Sequence, residues 1–277
     1  MILTSKEIIE QILDQSKEID SDIIRDIVDT TALDRLELEA SYKRYKGEVP
    51  ILNRGCENEN RPCNKLPSDY RGEVTDQKVG YSFGNAITVG YTDESDKVQD
   101  QIHSFNKLNS TKNLDRMTAT YAAACGVGNR LLYVGTDGLV HVMNANPWEC
   151  ILVNDMSINE PQYGFRIYPI IKKQGSITQE RMRVEWYDRL NVTYFEQNSQ
   201  GAYVEIEKKR HMFEGIPLLE FPNNDLKFSD FHKAEDYIDA YDWVMSFNQD
   251  EIEAFRHAIP VFENTMISQD TIDRIRS

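Results

Sequence analysis

No apolar run in the chain approaches the length of about eighteen residues that a membrane span needs. The opening stretch, MILTSKEIIEQILDQ, acquires acidic side chains at once. It shows no apolar block followed by a small-residue cleavage site, so neither a signal peptide nor a transit peptide is expected, and a cytoplasmic origin follows. Basic residues are scarce: 31 Lys and Arg face 46 Asp and Glu, for a formal net charge of −15. Gripping nucleic acid through its phosphates needs clustered Lys and Arg, so an acidic chain of this kind does not wrap DNA, although it can lie close to it. Only four cysteines occur: Cys56, Cys63, Cys125 and Cys150. Cys56 and Cys63 are spaced too widely for the usual zinc pair, and the other two do not form a second pair, so reduced thiols are expected.

Recognisable enzyme motifs are also missing. There is no GxxxxGK[ST], GxSxG or HExxH. Gly126-Val127-Gly128 lacks the third glycine of a dinucleotide fingerprint. The five histidines, His103, His141, His211, His232 and His257, are scattered through apolar or helical contexts. Asp250, Glu251 and Glu253 read as the charged side of a helix rather than a metal anchor. No catalytic, cofactor-binding or metal-binding residue is expected.

What the chain does have is enough length, 277 residues, and enough apolar content, 40 %, to build a substantial core. Thr4 and Glu7 have capping-box spacing, and Ile8, Ile9, Ile12 and Leu13 follow as one apolar face. Ile19, Ile23, Ile24, Ile27 and Val28 continue that pattern, and Leu33, Leu36 and Leu38 lead on to Tyr42 and Tyr45. The acidic residues of this arm read as a solvated face. Residues 46–72 are rich in Pro and Gly and predict a long irregular loop, of a length that suits a functional or interfacial role. Helical spacing resumes over 73–84 and over 96–124, with a short strand at Ile87 and Val89 between them.

From 130 to about 221 the pattern becomes short strands. RLLYVG and LVHVMNA flank Thr136-Asp137-Gly138, a hairpin signal. ECILVN, YGFRIYPII, RMRVEWYD, NVTYFEQ and AYVEIEK follow without helical crossovers, so an antiparallel meander is expected and a Rossmann-like sheet is not. The class is therefore α+β.

A long acidic helix closes the pattern. Ser229 is its expected N-cap, and Pro260 ends it. Phe231, Ala234, Ile238, Tyr241, Met245, Asn248, Ile252, Phe255 and Ile259 recur at alternating spacings of three and four, the seam of a helix that packs on other helices. Phe231, Ile238, Tyr241, Met245, Ile252 and Phe255 are the expected packing residues. Some 29 residues would span roughly 43 Å, and few single domains bury a helix of that length. A core helix of a monomer is the plainer alternative.

Three blocks carry a family resemblance. The first is Tyr45, Gly47, Ile51, Leu52 and Arg54, followed by Asn64, Lys65 and Leu66, then Asp76, Lys78, Val79, Gly80, Tyr81, Gly84 and Ile87. The second is Gly126, Tyr133, Asp137, Gly138, Pro147 and Glu149. The third is Pro217, Phe221, Asn223, Asn224, Ser229 and Asp230, with Ile238, Asp239, Tyr241 and Asp242. Taken in order they cover nearly the whole chain, and they resemble the portal proteins of tailed double-stranded DNA bacteriophages, of the type with long non-contractile tails and Gram-positive hosts.

The resemblance implies a portal fold: a helical arm over 1–45, a wing over 46–228 with its β meander at 130–221, a stem helix over 229–259, and the start of a clip over 260–277. It implies a dodecameric ring in the virion, at one capsid vertex, assembled in the host cytoplasm. Double-stranded DNA passes through the ring without sequence-specific binding. The implied partners are the terminase large subunit, the major capsid and scaffolding proteins, and a head-completion adaptor, with no membrane. Family members continue past the clip into a second stem helix and a crown, whereas this chain stops at Ser277, so a fragment or a truncated gene is expected. Asp236, Asp239 and Glu253 are the candidate channel-facing acids: carboxylates repel phosphates and let DNA slide. Two other classes are weighed beside this one. A head-associated adaptor would lack the Asp76–Tyr81 block, and an acidic metal-dependent nuclease would gather carboxylates in one pocket.

Overall fold

The computed structural model describes residues 19–56, 61–90, 96–154, 161–174 and 177–256. The capping box at Thr4 and Glu7 and the apolar face that follows it, like Ile259 and Pro260, lie outside these residues. The chain divides into two compact units: residues 1–48 with 69–236, and residues 49–68 with 237–277. The class is α+β, helices with antiparallel sheet, as the pattern of the sequence predicts.

In the first unit, Asp20 caps helix α1 (Ser21–Thr30) by accepting from the amides of Asp22 and Ile23 at 3.1 and 3.0 Å. The isoleucine stripe then does what its spacing predicts: Ile23, Ile24 and Ile27 are buried, and the charged side stays in water. Helix α2 (Ala32–Tyr45) behaves differently. Leu33 and Leu36, read as part of an apolar face, are 75 % and 61 % exposed. The inward contacts of α2 are polar and aromatic. Arg35 Nε donates to the Trp148 carbonyl, Ser41 Oγ donates to the Ala124 carbonyl, and the Tyr42 ring lies 5.1 and 5.3 Å from those of Tyr121 and Trp148.

Helix α3 (Tyr70–Phe83) takes up the spacing read at 73–84, and the strand expected at Ile87 and Val89 does not form. The single helical segment read at 96–124 is two helices, α4 (Asp96–Asn109) and α5 (Thr111–Cys125). Ser110 separates them with φ +50°, a left-handed conformation that ends α4. At the far end of α5, Gly126 has φ +88°, and a Cβ there would lie 1.9 Å from the Lys227 carbonyl oxygen. Glycine is needed at this position on both counts.

The seven strands read between 130 and 221 all form. The sheets separate them into β2-β1-β8 and β3-β4-β5-β6-β7. Strands β1 (Val127–Val134) and β2 (Val140–Ala145) make the expected hairpin. Strands β3 (Cys150–Val153), β4 (Tyr163–Gln174), β5 (Ile177–Tyr187), β6 (Asn191–Gln197) and β7 (Tyr203–Arg210) are the meander. The stretch GIPLLEFP contributes a further strand, β8 (Leu218–Pro222), which returns to pair with β1.

Strand alternation sends successive side chains to opposite faces. In β3 this feeds two cores. Ile151 and Val153 join Phe165, Ile167, Val184 and Trp186 beneath α1, while Cys150 and Leu152 join Leu131, Val192 and Leu218 on the other side. β3 is consequently buried at all four positions. Within the five-stranded sheet, Arg166 bridges Glu149 at 3.1 Å and Glu185 at 3.4 Å. The Tyr168 and Tyr187 hydroxyls donate to Glu185 at 2.8 and 2.9 Å. Burial first, and Glu185 second, push the Tyr187 hydroxyl well above its ordinary pKa. The polar half of this network was not evident in RMRVEWYD, because a strand pattern does not show which charges will be buried across from each other.

The position of Ile24, fully buried between α1 and the sheet, sets an expectation. Ile24→Ala should lower unfolding stability by about 2–5 kcal/mol, read as a shifted midpoint in urea. An equivalent change at exposed Leu33 should move it by less than about 0.5 kcal/mol.

Candidate assembly surface on the long helix

The long helix begins later than its sequence suggests. A 3-10 turn, His232–Ala234, precedes helix α6 (Glu235–Arg256), so Ser229 is not its N-cap. Its 22 residues span about 33 Å. Two first-unit features fix its start. Glu235, in the first turn where a negative charge suits the helix dipole, pairs with Arg44 and with the fully buried Arg71. Just upstream, Lys78 Nζ donates to Asn223 Oδ1 and Asp230 Oδ1, both at 2.8 Å, and Asn223 Nδ2 donates to Asp230 Oδ1 at 2.9 Å. These three residues come from two separate blocks of the resemblance.

The second unit is built on a ladder between α6 and the irregular loop of 49–68. The amide of Asn64 donates to Asp250 Oδ1 at 2.6 Å, that of Leu66 to Ser246 Oγ at 3.0 Å, and that of Ser68 to Asp242 Oδ1 at 2.9 Å. The match is one of pitch. Two extended residues advance about 6.7 Å, and four helical residues advance about 6 Å. An extended strap can therefore pin every second amide to every fourth helical side chain, running antiparallel to the helix. Pro67, with no N–H, falls on the alternate phase, where no donor to α6 is used.

Arg54 completes the clamp. Its Nη2 lies 2.7 Å from Asp250 Oδ2, and its Nη1 donates to the Asn64 carbonyl at 3.1 Å. Its guanidinium lies 4.1 Å from the Phe247 ring centroid, a cation–π contact. Asn64 Nδ2 reaches both Asp250 Oδ1, at 2.9 Å, and Glu253 Oε2, at 3.1 Å. Burial alone would raise the Asp250 carboxyl, but the Asn64 donors and Arg54 hold it below its ordinary value. The thiols expected to be free at Cys56 and Cys63 are instead joined as a disulfide, with Cα atoms 5.8 Å apart. Their wide sequence spacing argued against zinc, but it did not exclude a direct bond once the loop folds back. Cys125 and Cys150 are free and buried, and burial raises the Cys125 thiol to about 12.

The buried line of α6 is thus Ile238, Asp242, Ser246 and Asp250, mostly polar and one step round from the predicted apolar seam. Of the residues expected to pack, Phe231 and Ile238 are buried. Tyr241, Met245, Ile252 and Phe255 are exposed, the last two at 63 % and 74 %. Tyr237 and Val244 extend this exposed apolar stripe. Of the candidate channel acids, Asp236 is exposed, Asp239 half-buried, and Glu253 half-buried with its carboxylate on Asn64. Asp250, read as part of the charged side, is instead the anchor of the strap. Its role was traceable only by pairing the i, i+4 line 242–246–250 with the i, i+2 line 64–66–68. Among the described residues no three metal-ligating side chains gather, and no helix is long and apolar enough to cross a membrane.

The sequence that builds these two units matches a known family. The family described as phage portal protein, SPP1 Gp6-like, matches residues 25–277, and the chain belongs to it. Its similarity to the portal protein of Clostridium phage phiCD119 is 24 % identity over 266 residues, which is 87 % of this chain and 58 % of that relative. The chain therefore spans less than two thirds of the length of the curated relative it matches.

Two outcomes are expected from the clamp. Arg54→Ala leaves the Asp250 charge without its cation and should cost about 3 kcal/mol in urea unfolding. The folded state favours ionised Asp250, so its contribution is full above the unfolded value of about 3.9 and is lost as pH falls through the lower folded value. The stability difference between the native chain and Asp250→Asn should stay flat from about pH 7 to pH 5 and narrow below about pH 4.

Proposed function

We propose that the chain is a subunit of a portal ring at a capsid vertex of the virion, through which double-stranded DNA is packaged and ejected. The observation that carries this is the two-sided character of α6. One side is satisfied within the second unit by the strap, while Tyr237, Tyr241, Val244, Met245, Ile252 and Phe255 form an exposed apolar stripe along another. Exposed apolar stripes of this kind mark association surfaces. Family membership supports a second copy of the chain as its occupant. In this reading α6 belongs to the stem over 229–259, the sheets belong to the wing over 46–228, residues 1–45 are the arm, and 260–277 begin the clip. Heterologous contacts of one stripe against a different surface of the next subunit close a ring, a dodecamer in this proposal.

Asp236, Asp239 and Glu253 then face the channel. Phosphates meet carboxylates there rather than Lys and Arg, so DNA gains no counterion-release affinity and moves freely. Terminase large subunit, major capsid and scaffolding proteins, and a head-completion adaptor are the proposed partners. Assembly takes place in the host cytoplasm. The role is structural, with ATP hydrolysis left to the terminase.

Negative-stain imaging of this chain, and of any longer form of it, tests the proposal. Rings with a central hole are expected, and Ile252→Asp with Phe255→Asp should abolish them. A strict monomer of the longer form at high concentration would overturn the reading. Within rings, Asp236→Asn with Asp239→Asn should slow DNA passage and make it more salt-dependent. Glu253→Gln keeps an acceptor for Asn64 and tests the third acid without loosening the strap. Unchanged packaging and salt dependence in both variants would remove the channel assignment.

A further inference from the structure

The disulfide sits beside the two residues that grip Asp250. Arg54 lies just before Cys56, and Asn64 directly follows Cys63. Arg54 and Asn64 also touch each other, through Nη1 and the Asn64 carbonyl. Closing 56 to 63 therefore holds together the two halves of one carboxylate clamp. Cys56 is exposed and Cys63 half-buried, so solution thiols can reach the bond, unlike the buried Cys125 and Cys150.

We propose that Cys56–Cys63 is a redox-operated latch that sets how tightly the strap of 64–68 is fastened to α6. In the reduced chain the clamp must form with its two halves tethered only by the intervening loop. In the oxidised chain that loop is already closed, and the open state of the strap has less conformational entropy to gain. The chemistry is thiol–disulfide exchange with a small-molecule disulfide such as oxidised glutathione. One cysteine thiolate attacks it, forming a mixed disulfide and releasing one glutathione thiolate. The second cysteine, as thiolate, then attacks the protein sulfur of that mixed disulfide, forming Cys56–Cys63 and releasing the second. Two protein thiols are oxidised, one glutathione disulfide is reduced, and the two protons pass to the released thiolates. A dithiol runs the sequence backwards. The latch rests on the strap geometry alone and does not require ring formation.

Hydrogen exchange on the folded 277-residue chain, followed by mass spectrometry of peptides covering 61–69, provides the test. Samples are equilibrated in glutathione buffers of different redox poise, and thiol alkylation counts the free cysteines in each. Exchange of the Asn64, Leu66 and Ser68 amides should quicken about tenfold on reduction, within the ceiling set by loop-closure entropy. Peptides from β3 and β4 should not change. The double variant Cys56→Ser with Cys63→Ser should show the fast rate in every buffer. Three results would each overturn the latch: Cys56 and Cys63 staying alkylatable at every poise, equal exchange in the oxidised and reduced chains, or a redox response that survives in the double variant.

Discussion

Asp250 receives a backbone amide, a side-chain amide and a guanidinium, all from a loop nearly two hundred residues upstream in the chain. A carboxylate held largely out of water needs this many donors, because leaving it without partners there would cost several kcal/mol. The consequence is an ordered strap. Once Asn64 is fixed, the matching pitches of an extended chain and a helix carry the same pairing on to Ser246 and Asp242. The face of α6 most occupied by the chain's own contacts is therefore polar, and its apolar stripe is left exposed. That inversion leaves an exposed apolar stripe on what looks, in one dimension, like a core helix.

The first unit follows a more familiar rule. Its two cores meet at β3, whose alternate side chains serve opposite faces, and α1 covers the five-stranded sheet with its isoleucine stripe. Charges enter this interior only as members of a network. Arg166 with Glu149 and Glu185 is satisfied from several sides, and the tyrosine hydroxyls fill the remaining acceptor positions. A network like this fixes the register of β4 against β5, since sliding the strands by one residue would turn Arg166 away from Glu185.

Family membership and the exposed stripe bear on different questions. The family match concerns descent and the kind of protein this is. The stripe, with the strap behind it, concerns which part of α6 is available for contact. Lys78, Asn223 and Asp230 join the two lines of reasoning: residues singled out for their resemblance turn out to be in hydrogen-bond contact at the approach to the helix.

The period-two runs between 130 and 208 determined their strands without help, because alternation and β-branched content leave little choice of local structure. The spacing of Ile23, Ile24 and Ile27 likewise determined the buried face of α1. Local pattern misled where a single residue's backbone decided the outcome, as at Ser110, and where α2 and α6 turned polar residues inward. Apolar periodicity records which side chains leave water somewhere. It does not record whether they do so within one chain or against another. Tertiary structure alone decided that Asp242, Ser246 and Asp250 face inward, that Cys56 meets Cys63, and that Tyr241, Met245, Ile252 and Phe255 stay exposed. The reason is physical: each depends on donors and partners brought in from the distant loop, whose value to the helix is set by distance in space and not by spacing along the chain.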